Sequence, residues 1–243
     1  MALRALQMAV RLVYPPRCTS CCVVVEDAFG LCGACWRETP FITGLVCDLC
    51  GVPLPGEDTG QPVQCDDCLT LARPWSRGRA AMRYDGNGRK LALALKHGDR
   101  HDVAYPGGKW LARAAQPMLS PGMVISPVPL HWMRLWSRRF NQSALLSKAL
   151  AGETGLPHVA DLLLRHRRTQ SLKGLDRAAR HATLDGAIRV NPRHLALIKG
   201  ARVLLVDDVM TSGATFSAAA QACYAAGAED VCILALARAV KDA

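Results

Sequence analysis

Aromatic residues are scarce in this 243-residue chain, at 5%, and its 20 acidic residues are outnumbered by 30 basic ones. So few rings argue against an extended platform for stacking bases. The acid deficit leaves a formal charge of +10, which favours anionic partners such as phosphates, nucleotides or nucleic acid. No apolar run approaches the roughly 18 residues of a membrane span. The pattern G-x-x-x-x-G-K is missing, which excludes a P-loop, and no G-x-G-x-x-G turn marks a dinucleotide fold. The opening stretch, MALRALQMAVRLVYPPRC, lacks the uninterrupted apolar core of a secretory signal. Its leucines and valines at Leu3, Leu6, Val10 and Val13 fit a short amphipathic helix stopped by Pro15-Pro16. A transit peptide stays formally open, because no acid precedes Glu26, but the simpler expectation is a cytoplasmic protein.

Half of the residues are apolar, enough for a buried core in one large domain or two smaller ones. Cysteine is distributed very unevenly. Nine of eleven fall between Cys18 and Cys68, and eight of those form pairs with two intervening residues: Cys18/Cys21, Cys32/Cys35, Cys47/Cys50 and Cys65/Cys68. This spacing lets a tight turn aim two thiolates at one ion, and two such turns complete a tetrahedral shell. A disulfide framework would need an oxidising compartment, and a redox Cys-x-x-C would explain one pair rather than four. Two structural zinc sites are expected, with sequential pairing the simpler arrangement and cross-bracing the alternative. Closed Cys₄ sites leave no open coordination position, so their role is in folding. Cys22 breaks the spacing, and Cys223 and Cys232 read as core residues.

Beyond Cys68 the composition changes. LTLARPWSRG reads as a linker, RAAMRY as a strand, and DGNG (85–88) as a turn. RKLALALKHG carries a helical apolar stripe closed by Gly98, and a second helix is expected over 103–115 with an interruption near Pro106-Gly107-Gly108. MVISPVPL and RVLLVD read as buried strands, NQSALLSKALAGETG and TFSAAAQACYAAG as helices, and EDVCILALA as a last strand. Strands alternating with helices predict an α/β fold with a mostly parallel sheet covered on both faces. The expected organisation is an N-terminal helix (1–16), a double zinc ribbon (17–70), a linker (71–78) and an α/β domain (79–243).

Ligands of such sheets bind beyond the carboxyl ends of the strands. VLLVDDVMTSGAT (203–215) sits there: an apolar strand, two adjacent acids, then a loop of small and hydroxylated residues. Backbone N–H groups of that loop, hydroxyls of Thr211, Ser212 and Thr215, and a helix N-terminus suit a phosphate monoester. Gly213 permits close backbone approach. Asp207 and Asp208 can accept hydrogen bonds from vicinal hydroxyls or help hold Mg²⁺. A phosphorylated sugar satisfies both halves. Simple helix capping by Thr211 or Ser212 explains the hydroxyls but not the acids. A response-regulator receiver would need on the order of 100 residues after its acidic strand, whereas 35 follow Asp208.

These residues resemble the phosphoribosyl-pyrophosphate signature of type I phosphoribosyltransferases. The wider chain, through YPPRCTSC, YDG, LALKHGDR and PVPLHWMRLWSRRFNQ, resembles the ComF family, in which a double zinc ribbon precedes a phosphoribosyltransferase-like domain and which is associated with bacterial competence. The resemblance implies that Asp207 and Asp208 meet the ribose hydroxyls, directly or through Mg²⁺, as the catalytic pair. It implies that Thr211, Ser212, Gly213, Ala214 and Thr215 hold the 5′-phosphate. It gives the segment of Ser126, Pro127 and Val128 to pyrophosphate, with positive charge from Arg138, Arg139 and Lys96, and with Arg100 nearby. An enzyme of this kind would transfer phosphoribosyl by displacement at ribose C1 through an oxocarbenium-like state. The chain differs from the family pattern at Arg139, Leu172 and Thr183.

A second dense basic stretch (Arg165, Arg167, Arg168, Arg177, Arg180) reads either as a solvated face, or as a lid over a polyanion or a track for single-stranded DNA. His97 and His101 read as surface residues, and Trp132 and Trp136 as packing residues that could alternatively stack on a base. Two functions follow. One is binding of 5-phosphoribosyl 1-pyrophosphate with Mg²⁺, for transfer to an unnamed acceptor or for sensing, in a DNA-uptake setting. The other is a non-enzymatic competence factor that holds single-stranded DNA or partner proteins through its ribbons and basic surface.

Overall fold

A computed structural model describes residues 14–26, 30–97, 100–130, 140–166 and 186–240. Residues 1–13 of the expected N-terminal helix (1–16), and with them Arg138, Arg139, Trp132, Trp136, Leu172, Thr183 and the side chain of His97, lie outside them, and 14–16 are not helical. Of the basic stretch only Arg165 is described.

The Cys-rich region carries two short helices, α1 (Gly33–Glu38) and α2 (Asp66–Thr70). Next come β1 (Arg77–Arg83), α3 (Gly86–His97), α4 (Ala104–Ala115), β2 (Val124–Pro127) and α5 (Gln142–Thr154). The chain closes with β3 (Leu163–Arg165), β4 (Ile188–Val190), α6 (Leu195–Ile198), β5 (Arg202–Met210), α7 (Ala214–Ala225) and β6 (Asp230–Arg238). Four strands form a parallel sheet in the order β1-β6-β5-β2, and β3 and β4 pair antiparallel beside it.

Alternation along the two central strands divides the core. Val203 and Leu205 of β5, with Val231 and Ile233 of β6, pack on one face with Phe216 and Cys223 of α7, with β3–β4, and with Cys47, Cys50 and Cys68. Leu204 and Val206, with Cys232 and Leu234, pack on the other face against α3, α4 and α5. Both faces of the sheet are therefore apolar, as near-continuous runs such as VLLV require. Cys223 and Cys232 are buried core residues, as expected.

Three local expectations change. The DGNG stretch is not a free turn, because α3 begins at Gly86. The buried Asn87 anchors that start by donating to the Cys35 carbonyl (3.1 Å) and to Thr39 Oγ1 (2.7 Å). The interruption near Pro106 is absent, and α4 runs unbroken from Ala104. Pro106 lies in the first turn, where its missing N–H has no acceptor to lose. Gly108 lets α4 and α5 touch, since a Cβ there would lie 2.7 Å from Cβ of Ala149. Finally, β5 continues through both aspartates to Met210, pairing Asp207 with Ala235 and Val209 with Ala237, so the loop proper is only Thr211–Gly213. Among the described residues, no helix is long and apolar enough to cross a membrane.

Candidate functional site

The eight paired cysteines gather into two clusters in sequential pairing: Cys18, Cys21, Cys32 and Cys35, then Cys47, Cys50, Cys65 and Cys68. Within each, all four sulfurs lie within 4.8 Å of one another. Tetrahedral zinc with bonds of about 2.3 Å needs sulfurs about 3.8 Å apart. Cys21 and Cys32 are separated by 3.7 Å, and Cys50 and Cys65 by 3.6 Å. Both gaps fit a shared metal and are far longer than a disulfide of about 2 Å. Backbone N–H groups of Ser20 and Cys32 point at the Cys18 sulfur (3.4 and 3.3 Å), as a thiolate requires. Burial raises the Cys18 thiol, but backbone donors from Cys21, Cys32 and Ser20 outweigh it and bring it down to about 6.

The second cluster is fastened to the sheet. Asp48, inside its first pair, forms an ion pair with Arg79 of β1, and its carbonyl accepts from the Gly78 N–H (2.7 Å). The first cluster is held by Leu31 against the core and by polar contacts: Ser20 Oγ donates to Asn87 Oδ1, and Arg100 donates to the Thr19 carbonyl (3.2 Å) while paired with Asp102. Arg100 is thus occupied at the first ribbon. His101 packs edge-on against Phe140.

At the carboxyl end of the sheet, three segments meet the acidic pair. Asn141 caps α5 and donates to the Val128 carbonyl (3.2 Å), while the buried Gln142 donates to the Lys96 carbonyl (3.3 Å). Ser143 Oγ then donates to Asp207 Oδ1 (2.7 Å), and Lys96 Nζ stands 3.7 Å from Asp208 Oδ2. Each acid also accepts from the next amide, Asp208 N–H to Asp207 Oδ1 and Val209 N–H to Asp208 Oδ1. Burial, and then the neighbouring Asp208 carboxylate, push the Asp207 carboxyl up to about 7, against the pull of Ser143. Such a pair is short of positive charge, and its hard oxygens match Mg²⁺. Ser126 and Val128 are buried, and the Val128 N–H bonds the Val206 carbonyl (2.9 Å), so that segment contributes to the shape of the crevice.

The 211–213 loop is gripped from one side. Arg238, buried at the end of β6, donates through Nη1 to the carbonyls of Met210 (3.3 Å) and Thr211 (2.7 Å). Arg73 Nη1 donates to the Ser212 carbonyl (2.8 Å). In a planar trans peptide the C=O and the following N–H point oppositely. Fixing three successive carbonyls therefore turns the N–H groups of Thr211, Ser212 and Gly213 away from the two guanidinium groups. Among the described residues none of these three N–H groups has a hydrogen-bond partner. Ser212 Oγ accepts from Ala214 N–H (3.4 Å), while the N-cap position of α7 is Gly213, which offers no side-chain cap. Thr211 is exposed, Thr215 is half-buried and Ala214 is buried.

Gly213 has φ of +82°, and a Cβ there would lie 2.9 Å from Met210 Cε, 3.0 Å from Arg73 Nη1 and 3.1 Å from Trp75 Cη2. Gly213→Ala should therefore cost about 1–2 kcal/mol of folding stability, read as a lower denaturant midpoint with an unchanged slope. Arg73, Arg238, Gln142 and Ser143 are the site residues that sequence reasoning missed. Only Gln142 and Ser143 carried a signal, as neighbours in the FNQS stretch.

Residues 9–69 match the family model described as a double zinc ribbon domain. The chain is 30% identical to the DNA utilization protein YhgH of Salmonella typhi, over 93% of this chain and 99% of that protein. It is 34% identical to Competence protein F of Haemophilus influenzae, over 86% of this chain and 91% of that one. Among solved structures, glutamine phosphoribosylpyrophosphate amidotransferase from B. subtilis aligns with 59% of this chain and 30% of its own, at 19% identity and a TM-score of 0.41. The two curated relatives match the ribbons and the α/β region together, and on that whole-chain identity the protein belongs to the ComF family.

Proposed function

We propose that the crevice at the ends of β2 and β5 binds 5-phosphoribosyl 1-pyrophosphate together with Mg²⁺. The observation that carries this reading is the placement, within seven residues of one strand and loop (Asp207–Gly213), of two adjacent carboxyls, tied to Ser143 and Lys96, beside three N–H groups without a partner among the described residues. The N–H groups form an anion-binding nest for the 5′-phosphate, reinforced by the N-terminus of α7. Asp207 and Asp208 accept from the ribose 2′- and 3′-hydroxyls and would hold the metal, which supplies charge neutralisation for pyrophosphate. Lys96 would add charge toward the leaving group, a role that the family resemblance also gives to the arginines at 138 and 139, which lie outside the described residues. Ser143 and Gln142 act by orienting Asp207 and the end of α3. The names of the relatives support a setting in DNA uptake or utilisation.

Calorimetric titration of the zinc-loaded chain with phosphoribosyl pyrophosphate, with and without Mg²⁺, tests this directly. Because metal and diol need the ionised acid, binding must expel the Asp207 proton below its value of about 7. Affinity should rise about tenfold between about pH 6 and about pH 8, and most of that gain should appear below pH 7. The free protein should show the opposite trend. The Asp207 carboxyl is raised above its unfolded value, so its contribution to stability is complete below about pH 4 and is lost as pH climbs through about 7. Absence of heat with Mg²⁺ present at either pH would refute the reading. Release of pyrophosphate in the presence of candidate acceptors separates transfer from sensing.

One feature favours the second reading, a competence factor that holds single-stranded DNA. A groove of about 540 Å³ lies between the ribbons and β1–α4, lined by Trp36, Phe41, Trp110 and Arg113 among others. Trp36 is 46% exposed and tilts at 42° against Phe41 with ring centres 4.6 Å apart, which would let its open side take a base. The groove is built from residues other than the acidic pair, so the two readings separate under the variant discussed below.

A further inference from the structure

Arg73 lies between the second ribbon and β1, in the stretch that composition marks as a linker, yet it is only 9% exposed. Its Nε and Nη2 have no hydrogen-bond partner and almost no contact with solvent. Burying a guanidinium so incompletely satisfied works against stability, and an apolar side chain of the same size would do better. The groups that Arg73 does touch belong to two different modules. Its Nη1 holds the Ser212 carbonyl, and its guanidinium carbon stands 5.4 Å from the centre of the Trp75 ring. The buried Trp75 donates its indole N–H to the Leu49 carbonyl, between Cys47 and Cys50. Trp75 also packs edge-on against Phe216, in the first turn of α7. One chain of contacts therefore runs from the second Cys₄ unit to the peptide that precedes Gly213.

We propose that Arg73 is a positioning residue for the 211–213 loop, and that through Arg73, Trp75 and Leu49 the second Cys₄ unit governs how well that loop receives a phosphate. The phosphate half rests on the sugar-phosphate reading above. Two peptides of the loop are held by Arg238 and one by Arg73 alone. Without Arg73 the Ser212–Gly213 peptide is free to rotate, and the Gly213 N–H leaves the nest. Arg238 keeps the remaining N–H groups in place, so the effect is local and partial. Arg73 touches no ligand in this scheme and acts only through the backbone.

Arg73→Met tests the inference in the full zinc-loaded chain, because it fills the space, removes the buried charge and should fold. The melting temperature should hold or rise and both zinc ions should remain. Amide order parameters of residues 211–213, measured by NMR without ligand, should fall from about 0.85 to below about 0.6. Affinity for ribose 5-phosphate should fall about tenfold, and Arg73→Lys should recover part of it. Trp75→Phe keeps an aromatic ring beside Arg73 and Phe216 but deletes the donor to Leu49 together with part of the indole, so it should shift the same readouts by a smaller amount. Native order parameters in Arg73→Met would overturn the positioning role, and so would a loss of order spread through the whole domain. Native behaviour of Trp75→Phe would overturn the link to the ribbon. A native chain that ignores ribose 5-phosphate would instead refute the sugar-phosphate reading, while the ligand-free order parameters still decide the role of Arg73.

Discussion

Cys50→Ser should lower the stability of the whole chain by at least about 4 kcal/mol, whereas Cys21→Ser should leave the α/β domain folded. The two residues have equivalent positions in their ribbons but different surroundings. Cys47 and Cys50 are completely buried, Cys68 is nearly so, and all three belong to the same core cluster as Val203, Ile233 and Phe216. Losing that metal would leave unpaired thiols in the core and release Asp48, Leu49 and Trp75 from β1. The hydrogen bond with Cys47, and then the charge of Arg238, hold the Cys50 thiol low, so Arg238 would also lose a negative neighbour. Cys21 is exposed, and its ribbon meets the rest of the chain through Leu31, Ser20, Thr19 and Asn87. Thermal melts followed by tryptophan fluorescence, with zinc counted per chain, measure both variants. Equal losses would show that the ribbons carry the fold alike.

The double variant Asp207→Asn, Asp208→Asn should weaken Mg²⁺-dependent binding of phosphoribosyl pyrophosphate by at least about a hundredfold while raising the melting temperature. Asparagine keeps an oxygen that can accept from Ser143 and from the following amide, so the local hydrogen bonds survive. It removes two adjacent carboxylates whose mutual repulsion and burial hold Asp207 near 7. Lys96 loses a partner at 3.7 Å, but its side chain is 32% exposed and can turn to water. Stability gained and ligand lost in one variant is the signature of a functional charge pair. Affinity for single-stranded DNA, measured at fixed salt, should be unchanged or higher if the aromatic groove is the DNA site, because two negative charges have gone. Retained sugar-phosphate binding would remove the acids from the site.

Much of this was legible in the sequence because the signals are local. Cys-x-x-C spacing fixes two ligands at a time, and the apolar run VLLV marks a buried strand that leads into the acids and the Thr-Ser-Gly turn. The extent of β5 was not legible, since Asp207 and Asp208 read as loop residues until their pairing partners on β6 are known. The same limit hid β3 and β4, whose apolar residues come in runs of two or three at either end of the basic stretch. Arg238 looks like the charged end of an apolar strand, and Arg73 like linker punctuation between Ala72 and Pro74. Their roles depend on carbonyls 28 and 139 residues away along the chain. Compositional reasoning also treats proline and glycine as breaks, and at Pro106 and Gly108 the structure uses them for a helix start and a close helix contact.

The pairing of β1 with β6 has a further consequence, for the order in which the chain is built. Arg77 of β1 lies beside Cys232 of β6, so the strand that leaves the ribbons finds its neighbour only after the whole α/β region between them has been made. During translation the ribbons emerge first, and their short loops can take up zinc at once. The surface that receives the second ribbon does not yet exist, because Ser212 and Val231 come from the last quarter of the chain. Closure over such separations is slow. A nascent chain therefore spends most of its synthesis as a metal-bound head with Trp75 uncovered, waiting for the strand that will cover it.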